Sequence, residues 1–226
     1  MKTNTRQAQL RQDETATVAP LKRDHIRVVA LGDSLAYGAG DESHKGITGR
    51  LKEDLTARGF RDVETVNFGV NGAQTSDLVA KLKQDRVRRD LEQADAIVLS
   101  IGANDLFRSP QAREETMRAP LAVADRILSR IEAIVADVRR MNPRARILIL
   151  GGYNPVPTHP LAPMINQYLQ LWDATLSGRF EHDPLISVVK MSDIVTRQRL
   201  SRYDNFHPGG AAYEAAAERI AEMLSA

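Results

Sequence analysis

The sequence contains no cysteine and few aromatic residues, and each shortage excludes a class of function. Without cysteine the chain has no disulfide framework, no thiolate nucleophile and no cysteine-ligated zinc or iron–sulfur site. Aromatic residues make up only 5% of the 226 residues. Domains that bind nucleic acid use such residues to stack bases, and they carry a strong basic excess. The composition therefore argues against a nucleic-acid partner.

Charge and hydropathy also lack the patterns of a membrane protein. The formal net charge of +2 arises in residues 1–24, because residues 25–226 carry equal numbers of basic and acidic side chains. No run reaches the roughly 18 consecutive apolar residues of a membrane-spanning helix, and the N-terminus lacks the apolar core of a signal peptide. We therefore expect no stable membrane insertion. As written, the sequence indicates a cytoplasmic protein, although removal of an N-terminal export or anchor segment would make it secreted or membrane-anchored.

Short apolar runs alternate with segments of helical periodicity from Ile26 onward, whereas residues 1–24 are polar and aperiodic. These first residues are expected to form a flexible leader. The apolar runs predict five strands, at residues 26–31, 63–68, 96–101, 146–151 and 186–189. The segments between them predict helices, among them a long amphipathic helix over residues 120–141 and a last helix from about Gly210.

Nearly continuous apolar strands separated by helices are typical of a parallel sheet with helices on both faces. We therefore predict one three-layer α/β/α domain over residues 25–226. Its five-stranded parallel sheet is expected to have the flavodoxin-like order 2-1-3-4-5, in which the carboxyl ends of the first three strands lie side by side. Ligands bind at that edge of such a sheet, which makes the turns after these strands candidate sites.

Each of these three turns carries residues suited to chemistry. Gly32-Asp33-Ser34-Leu35 follows the first strand, and a serine at a strand-to-helix turn can be an exposed nucleophile. The second strand ends in Asn67-Phe68-Gly69-Val70-Asn71-Gly72, where glycine lets a backbone N–H approach a ligand. Gly102-Ala103-Asn104-Asp105 follows the third strand and offers an amide donor. Taken singly, each turn also fits ordinary turn and helix-cap chemistry.

A fourth segment, Asp204-Asn205-Phe206-His207, precedes the last helix. The Asp204 carboxylate can accept a hydrogen bond from Nδ1–H of His207, because the two residues are three apart in a turn. Nε2 of the imidazole then stays free to take a proton from a serine hydroxyl, which is a poor nucleophile at pH 7 without such a base. The pair therefore indicates nucleophilic catalysis by a serine.

The four segments together resemble the SGNH hydrolases, the GDSL family of serine esterases and lipases. The resemblance extends from Gly32 to His207. It implies a catalytic triad of Ser34 as nucleophile, His207 as base and Asp204 as orienting acid. It also implies an oxyanion hole formed by the N–H of Ser34, the N–H of Gly72 and Nδ2 of Asn104.

Three details qualify this resemblance. Gly69 is the alternative to Gly72 as oxyanion donor. The third segment reads Gly-Ala-Asn-Asp where many relatives have Gly-Gly-Asn-Asp, which leaves the asparagine in place. The Gly-x-Ser-x-Gly elbow of α/β-hydrolases is absent around Ser34, which argues against that other serine-esterase fold.

Other polar residues are assigned supporting or surface roles. Asp33 is expected to order the turn of Ser34, and Asp105 to accept hydrogen bonds at a turn or helix cap. The proline-rich segment after the fourth strand supplies candidates for a substrate rim, namely Tyr153, Val156 and His159, with Leu161 and Met164 beside them. The remaining histidines, His25, His44 and His182, lack a comparable acid partner, and the basic run over residues 81–89 is interpreted as a solvated helix face rather than an anion site.

These assignments imply a carboxylic-ester hydrolase that needs no cofactor and no metal. Its expected partner is a small-molecule acyl ester, with a short- to medium-chain acyl group or a lysophospholipid-like structure. A carbohydrate O-acetyl esterase of the same family is one alternative. The other is a non-catalytic flavodoxin-like module in which residues 32–40 bind a phosphate at a helix N-terminus, although that loop lacks a P-loop lysine.

Overall fold

Five parallel strands form the centre of the protein and fix the positions of the loops described below. The computed structural model describes residues 20–226, so the larger part of the predicted leader, residues 1–19, lies outside the described residues. The strands are β1 (His25–Gly32), β2 (Asp62–Gly69), β3 (Ala96–Ser100), β4 (Arg146–Leu150) and β5 (Ile186–Val189). Their order in the sheet is β2-β1-β3-β4-β5, and every pairing is parallel. The predicted topology is confirmed.

Helices connect the strands. They are α1 (Ser34–Tyr37), α2 (Gly46–Ala57), α3 (Thr75–Lys81), α4 (Asp85–Glu92), α5 (Ala103–Phe107), α6 (Pro110–Arg118), α7 (Pro120–Met141), α8 (Ala162–Phe180) and α9 (Gly210–Ser225). A single 3-10 turn, Arg197–Arg199, precedes the last loop. Within residues 20–226 none of the helices combines the length and apolar character that crossing a membrane demands.

Two apolar cores lie on opposite faces of the sheet, because successive strand residues point to opposite faces. In β1 the side chains of Val28 and Ala30 belong to the core under α2 and α9. The alternate residues, Val29 and Leu31, belong to the core under α3, α4, α7 and α8. All four are fully buried. Burial on both faces explains why this strand reads as a nearly continuous apolar run.

The carboxyl ends of β2, β1 and β3 are in register at Gly69, Gly32 and Ser100, which pair across the sheet. Gly32 has a φ of +128°, and a Cβ at this position would lie 1.7 Å from the carbonyl oxygen of Ser100. Only glycine fits there. The close approach lets the Asp33 N–H donate to the same Ser100 oxygen at 2.8 Å, which fixes the point where the chain leaves the sheet.

Three helices were not anticipated from the sequence. α1 has only four residues, and α5 and α6 contain no buried residue, so none of the three shows an apolar stripe. They occupy the segments after β1 and β3. Both segments therefore bring helix termini, rather than open loops, to the carboxyl edge of the sheet.

Candidate active site

Ser34 is the first residue of α1, directly above the end of β1. Asp33 caps this helix, since its Oδ1 accepts a 3.1 Å hydrogen bond from the N–H of Leu35. The hydroxyl of Ser100 donates to the same oxygen at 2.8 Å. The Ser34 side chain is half-buried, and its hydroxyl makes no hydrogen bond with any described residue. These two hydrogen bonds to Oδ1 of Asp33 hold the turn that carries Ser34.

The Asp33 carboxyl is buried, and burial raises its pKa to about 6. Hydrogen bonds from Ser100 and from the N–H groups of Leu35 and Asp33 oppose this shift, and so does positive charge on His207. The buried carboxyl lies one residue from Ser34, and a positive charge on His207 favours its ionised form.

The turn after β2 contains both candidate glycines, and their backbone N–H groups differ. Gly69 donates its N–H to Oδ1 of Asn67 at 2.8 Å, and a Cβ here would lie 2.3 Å from the Tyr37 nitrogen. The N–H of Gly72 has no acceptor among residues 20–226, and no atom lies within 4 Å of a Cβ added at this position. Gly72 also has a φ of +80°. The geometry thus leaves the Gly72 N–H, and not that of Gly69, available to a ligand.

The side chains of Asn104 and Asp105, on α5, tie the end of β3 to this turn. Nδ2 of Asn104 donates to the carbonyl oxygen of Ala73 at 3.0 Å and keeps its second hydrogen. Asp105 accepts from the N–H of Thr75 at 2.9 Å and from its hydroxyl at 2.6 Å. The Asp105 carboxylate therefore accepts hydrogen bonds at the first residue of α3 and not in its own helix.

Asp204 and His207 form a hydrogen-bonded pair in the loop before α9. Oδ2 of Asp204 lies 2.6 Å from Nδ1 of His207, and Oδ1 accepts from the N–H groups of Phe206 and His207 at 2.9 and 3.0 Å. Burial works against the charged form of Asp204, but these three hydrogen bonds outweigh it and lower its pKa. Asn205, with a φ of +52°, makes the turn that brings the two side chains together. Nε2 of His207 is left without a bonded partner in the described part of the chain.

Gly40, which sequence reasoning missed, brings the loop after α1 against the back of the His207 loop. A Cβ at this position would lie 2.7 Å from Cβ of His207 and 2.9 Å from that of Ser201. Ser201 in turn donates its N–H to the carbonyl oxygen of His207 at 2.7 Å. Within residues 20–226 no hydrogen bond joins Ser34 to His207 directly. The close approach at Gly40 is therefore one of the contacts that join the loop after Ser34 to the loop of His207.

Of the three residues predicted to form a substrate rim, Tyr153 lies at the His207 loop. Val156 and His159 follow it in the segment between β4 and α8. The hydroxyl of Tyr153 donates to the carbonyl oxygen of Phe206 at 3.3 Å. Burial, together with the negative charges of Asp33 and Asp204, raises the pKa of Tyr153. Val156 and His159 lie in the exposed segment between β4 and α8, where Nδ1 of His159 accepts from the N–H of Leu161. Only Tyr153 contacts a residue next to the acid–base pair.

A cleft of about 310 Å³ lies beside Gly72. Its lining includes the apolar side chains of Val70 and Leu78 and the cations Lys81 and Arg108. Beyond Lys81, the basic side chains of the run over residues 81–89 are exposed, as predicted for a solvated face.

The other histidines lie away from the Asp204–His207 pair. His25 begins β1, at the opposite end of the sheet, and pairs with Asp62 at 2.8 Å. His182 follows α8 and is nearly fully exposed beside Glu181. His44 lies in the loop between α1 and α2 and has a φ of +56°. His207 therefore remains the candidate base.

A phosphate-binding loop over residues 32–40 is disfavoured by two features. α1 is only one turn long, so its peptide dipoles supply little of the field that attracts an anion. The carboxylate of Asp33 already accepts from the N–H of Leu35, which a phosphate would have to bind. The geometry instead supplies free N–H donors, an unbonded hydroxyl and a histidine paired with an acid, which are the components of acyl transfer.

Comparison with known proteins identifies relatives over most of the chain. Residues 30–215 match the model of the GDSL-like lipase/acylhydrolase family. The uncharacterized protein YpmR of Bacillus subtilis (strain 168) is 28% identical over 211 residues, which cover 89% of this chain and 82% of that protein. The spore germination lipase LipC of Bacillus licheniformis is 25% identical over 205 residues, covering 86% of this chain and 94% of LipC.

The fold recurs among solved structures. The lipase Lip_vut3 from a goat rumen metagenome superposes with a TM-score of 0.76 and 24% sequence identity, over 88% of this chain and 98% of that one. At this identity the likeness concerns the fold. The strand order and the three-layer architecture are therefore shared with a lipase structure.

Proposed function

Because this chain belongs to the GDSL-like lipase/acylhydrolase family, we propose that it hydrolyses carboxylic esters through an acyl-enzyme formed on Ser34. The observation that carries the proposal is the 2.6 Å contact between Oδ2 of Asp204 and Nδ1 of His207. A carboxylate at Nδ1 holds the imidazole in the tautomer whose Nε2 accepts a proton, and it stabilises the imidazolium that forms.

In the first half of the reaction, Oγ of Ser34 attacks the ester carbonyl carbon while Nε2 of His207 takes the hydroxyl proton. The carbonyl oxygen becomes an oxyanion, which accepts hydrogen bonds from the N–H groups of Ser34 and Gly72 and from Nδ2 of Asn104. The C–O bond to the alcohol then breaks, and His207 returns the proton to the leaving alcohol. An acyl group remains on Ser34.

In the second half, water attacks the acyl-enzyme and gives its proton to Nε2 of His207. The tetrahedral intermediate releases the carboxylic acid, and the proton returns to Oγ of Ser34. Loss of one oxyanion donor typically costs about 2.7–4 kcal/mol of transition-state stabilisation, so three donors account for a large share of the rate enhancement.

The missing hydrogen bond between Ser34 and His207 is compatible with this sequence of steps. In free enzymes the bond between nucleophile and base is often long, and it shortens when substrate binds. A half-buried, unbonded Ser34 hydroxyl has no competing acceptor to leave. The Ser34 hydroxyl therefore does not have to break a hydrogen bond before it attacks the ester.

For substrates, we propose short- to medium-chain acyl esters or lysophospholipid-like esters. LipC is named as a lipase and aligns over most of both chains, which favours lipid-like acyl esters over acetylated carbohydrates. The cleft beside Gly72 is lined by the apolar side chains of Val70 and Leu78 together with Lys81, a combination that suits an acyl ester with a polar or anionic group. Arg108 and Asp77 also line the cleft, but they pair with each other.

The experiment is a hydrolysis assay on a panel of p-nitrophenyl esters from acetate to decanoate, a lysophospholipid and an acetylated xylan. We expect turnover of the acyl esters by the wild type and none above background by Ser34→Ala. The matched control is Ser225→Ala, whose hydroxyl bonds only the carbonyl oxygen of Ala221 within its own helix. Full activity in Ser34→Ala would refute the mechanism, and hydrolysis of acetylated xylan alone would assign the O-acetyl esterase activity instead.

A further inference from the structure

Asn104 in α5 and Arg108, the C-cap residue of α5, bind consecutive carbonyl oxygens of the turn that contains Gly72. Nδ2 of Asn104 donates to the oxygen of Ala73 at 3.0 Å, and Nη1 of Arg108 donates to the oxygen of Gly72 at 2.8 Å. Residues four apart on a helix project from the same face, which explains why both reach the same turn. The peptide units on the carboxyl side of Gly72 are thus held from α5.

Arg108 also reaches the far side of the turn. Its Nη1 lies 3.1 Å from Oδ2 of Asp77, and the same carboxylate oxygen accepts from the N–H of Gln74 at 2.9 Å. Asp77 is the residue of α3 that completes the capping box with Gln74. One guanidinium therefore connects the carbonyl of Gly72 to the start of α3.

Packing does not hold Gly72 in place. No atom lies within 4 Å of a Cβ built on this residue, and its φ of +80° is a conformation that glycine leaves easily. The cleft of about 310 Å³ borders the same turn. The direction of the Gly72 N–H therefore depends on the turn around it. This turn is closed by the Ala73 N–H, which donates to the carbonyl oxygen of Val70 at 3.0 Å, and it is further held by the hydrogen bonds from Asn104 and Arg108.

We infer that Arg108 is a positioning residue for the oxyanion hole, because its hydrogen bond to the Gly72 carbonyl fixes the Gly72–Ala73 peptide plane and thereby the backbone conformation of Gly72, which sets the direction of the Gly72 N–H. This inference rests on the proposed function, since it concerns the same oxyanion. An N–H donor stabilises the transition state only if it already points to where the charge develops. Arg108 acts through Gly72 and need not touch the substrate.

If Arg108 had only a structural role, its replacement would lower the stability of the protein. The Arg108–Asp77 pair is about half exposed, and exposed ion pairs contribute little to the free energy of unfolding. Replacing Arg108 should therefore leave the melting temperature nearly unchanged. A loss of turnover at constant stability separates positioning from folding.

The test compares Arg108→Gln, Arg108→Lys and a matched control, Arg126→Gln. Arg126 also forms an ion pair with a carboxylate, that of Glu115, but within residues 20–226 it makes no hydrogen bond to the turn. For Arg108→Gln we expect kcat to fall about 10-fold or more with KM changed less than about 2-fold, which is the pattern of an interaction made only in the transition state. Arg108→Lys keeps a charged donor and should recover part of the loss, whereas Arg126→Gln should match the wild type.

A second measurement monitors the Gly72 amide directly. In ¹H–¹⁵N spectra we expect the Gly72 resonance to shift, and its hydrogen exchange to accelerate, in Arg108→Gln but not in Arg126→Gln. An unchanged kcat, a change in KM alone, or an unaltered Gly72 amide would each overturn the inference. If the wild type hydrolyses no ester, the proposed function fails, while the Gly72 amide still shows whether Arg108 holds the turn.

Discussion

The hydroxyl of Ser100 donates a 2.8 Å hydrogen bond to Oδ1 of Asp33, beneath the turn that carries Ser34. This bond joins the ends of two neighbouring strands through a buried carboxyl. The Asp33 side chain therefore caps α1, joins β1 to β3 and places an ionisable carboxyl beside the proposed nucleophile. The first testable consequence concerns the protonation of this carboxyl.

The pH dependence of stability should include a contribution from Asp33. Burial raises its pKa from 3.8 to about 6, so the folded state binds a proton more tightly than the unfolded state does. The resulting stabilisation is complete below pH 3.8 and is lost as pH rises through about 6. For this group alone, the free energy of unfolding should fall by about 2 kcal/mol between pH 4 and pH 7.

Asp33→Asn isolates this contribution, because the amide oxygen can still accept from Ser100 and Leu35 but does not titrate. Urea unfolding measures the free energy of unfolding of both proteins from pH 4 to pH 8. Across pH 4–6 this free energy should fall in the wild type relative to Asp33→Asn. Parallel curves for the two proteins would show that Asp33 does not titrate in this range.

Asp204→Asn should lower kcat by about 10²–10⁴-fold with little change in stability. The amide cannot stabilise the imidazolium, and an amide donor at Nδ1 favours the tautomer that lacks a free Nε2. Steady-state kinetics on p-nitrophenyl butyrate measure the effect. Asp193→Asn is the control, since that carboxylate pairs with Arg219 of α9 and makes no hydrogen bond to His207 within the described residues. Equal rates in the Asp204 and Asp193 variants would exclude an orienting role for Asp204.

Gly40→Ala should reduce turnover by displacing His207. The new methyl group would lie 2.7 Å from Cβ of His207, and the φ of +86° is strained for alanine. Gly178→Ala is the matched control, because no atom lies within 4 Å of its Cβ and Gly178 sits inside α8, where alanine is favoured by about 0.5–1 kcal/mol. The melting temperature should therefore fall in Gly40→Ala and rise in Gly178→Ala, whereas kcat should fall in Gly40→Ala alone. Wild-type kcat in Gly40→Ala would show that the contact does not position His207.

The two candidate oxyanion glycines should respond differently to alanine. At Gly69 a Cβ would approach the Tyr37 nitrogen to 2.3 Å, so Gly69→Ala should fold poorly. At Gly72 the space is open, so Gly72→Ala should fold at a cost of about 1–2 kcal/mol from its positive φ. Its kcat should fall because the turn relaxes toward another conformation. A well-folded Gly72→Ala variant with unchanged kcat would exclude Gly72 as the oxyanion donor.

The sheet could be predicted from the sequence because β1, β3 and β4 are buried on both faces and read as apolar runs. α5 and α6 could not, because they bury no residue and so show no apolar period. The four segments of the candidate site were visible as polar residues at strand ends and before α9. Their spatial relation was not, because no periodicity or turn signal reports a contact between distant segments.

Gly40 and Arg108 illustrate this limit. Gly40 is one of several glycines in its segment, and its contact with His207 joins residues more than 160 positions apart. Arg108 follows the third segment by three residues, yet its acceptor, the Gly72 carbonyl, belongs to another loop. The role of Asp105 was predicted as a local cap, but its acceptor oxygens serve Thr75, 30 positions earlier. Each of these contacts follows from the strand order and not from local sequence.

The most direct test of the central claim is labelling with a fluorophosphonate, followed by intact-mass measurement and peptide mapping. A serine activated by a histidine base attacks such a reagent, whereas ordinary serine hydroxyls do not. We expect one adduct per chain, located on Ser34, in the wild type, and none in Ser34→Ala or His207→Ala. An adduct on another residue, or equal labelling of the His207→Ala variant, would contradict the proposed pairing of Ser34 with His207.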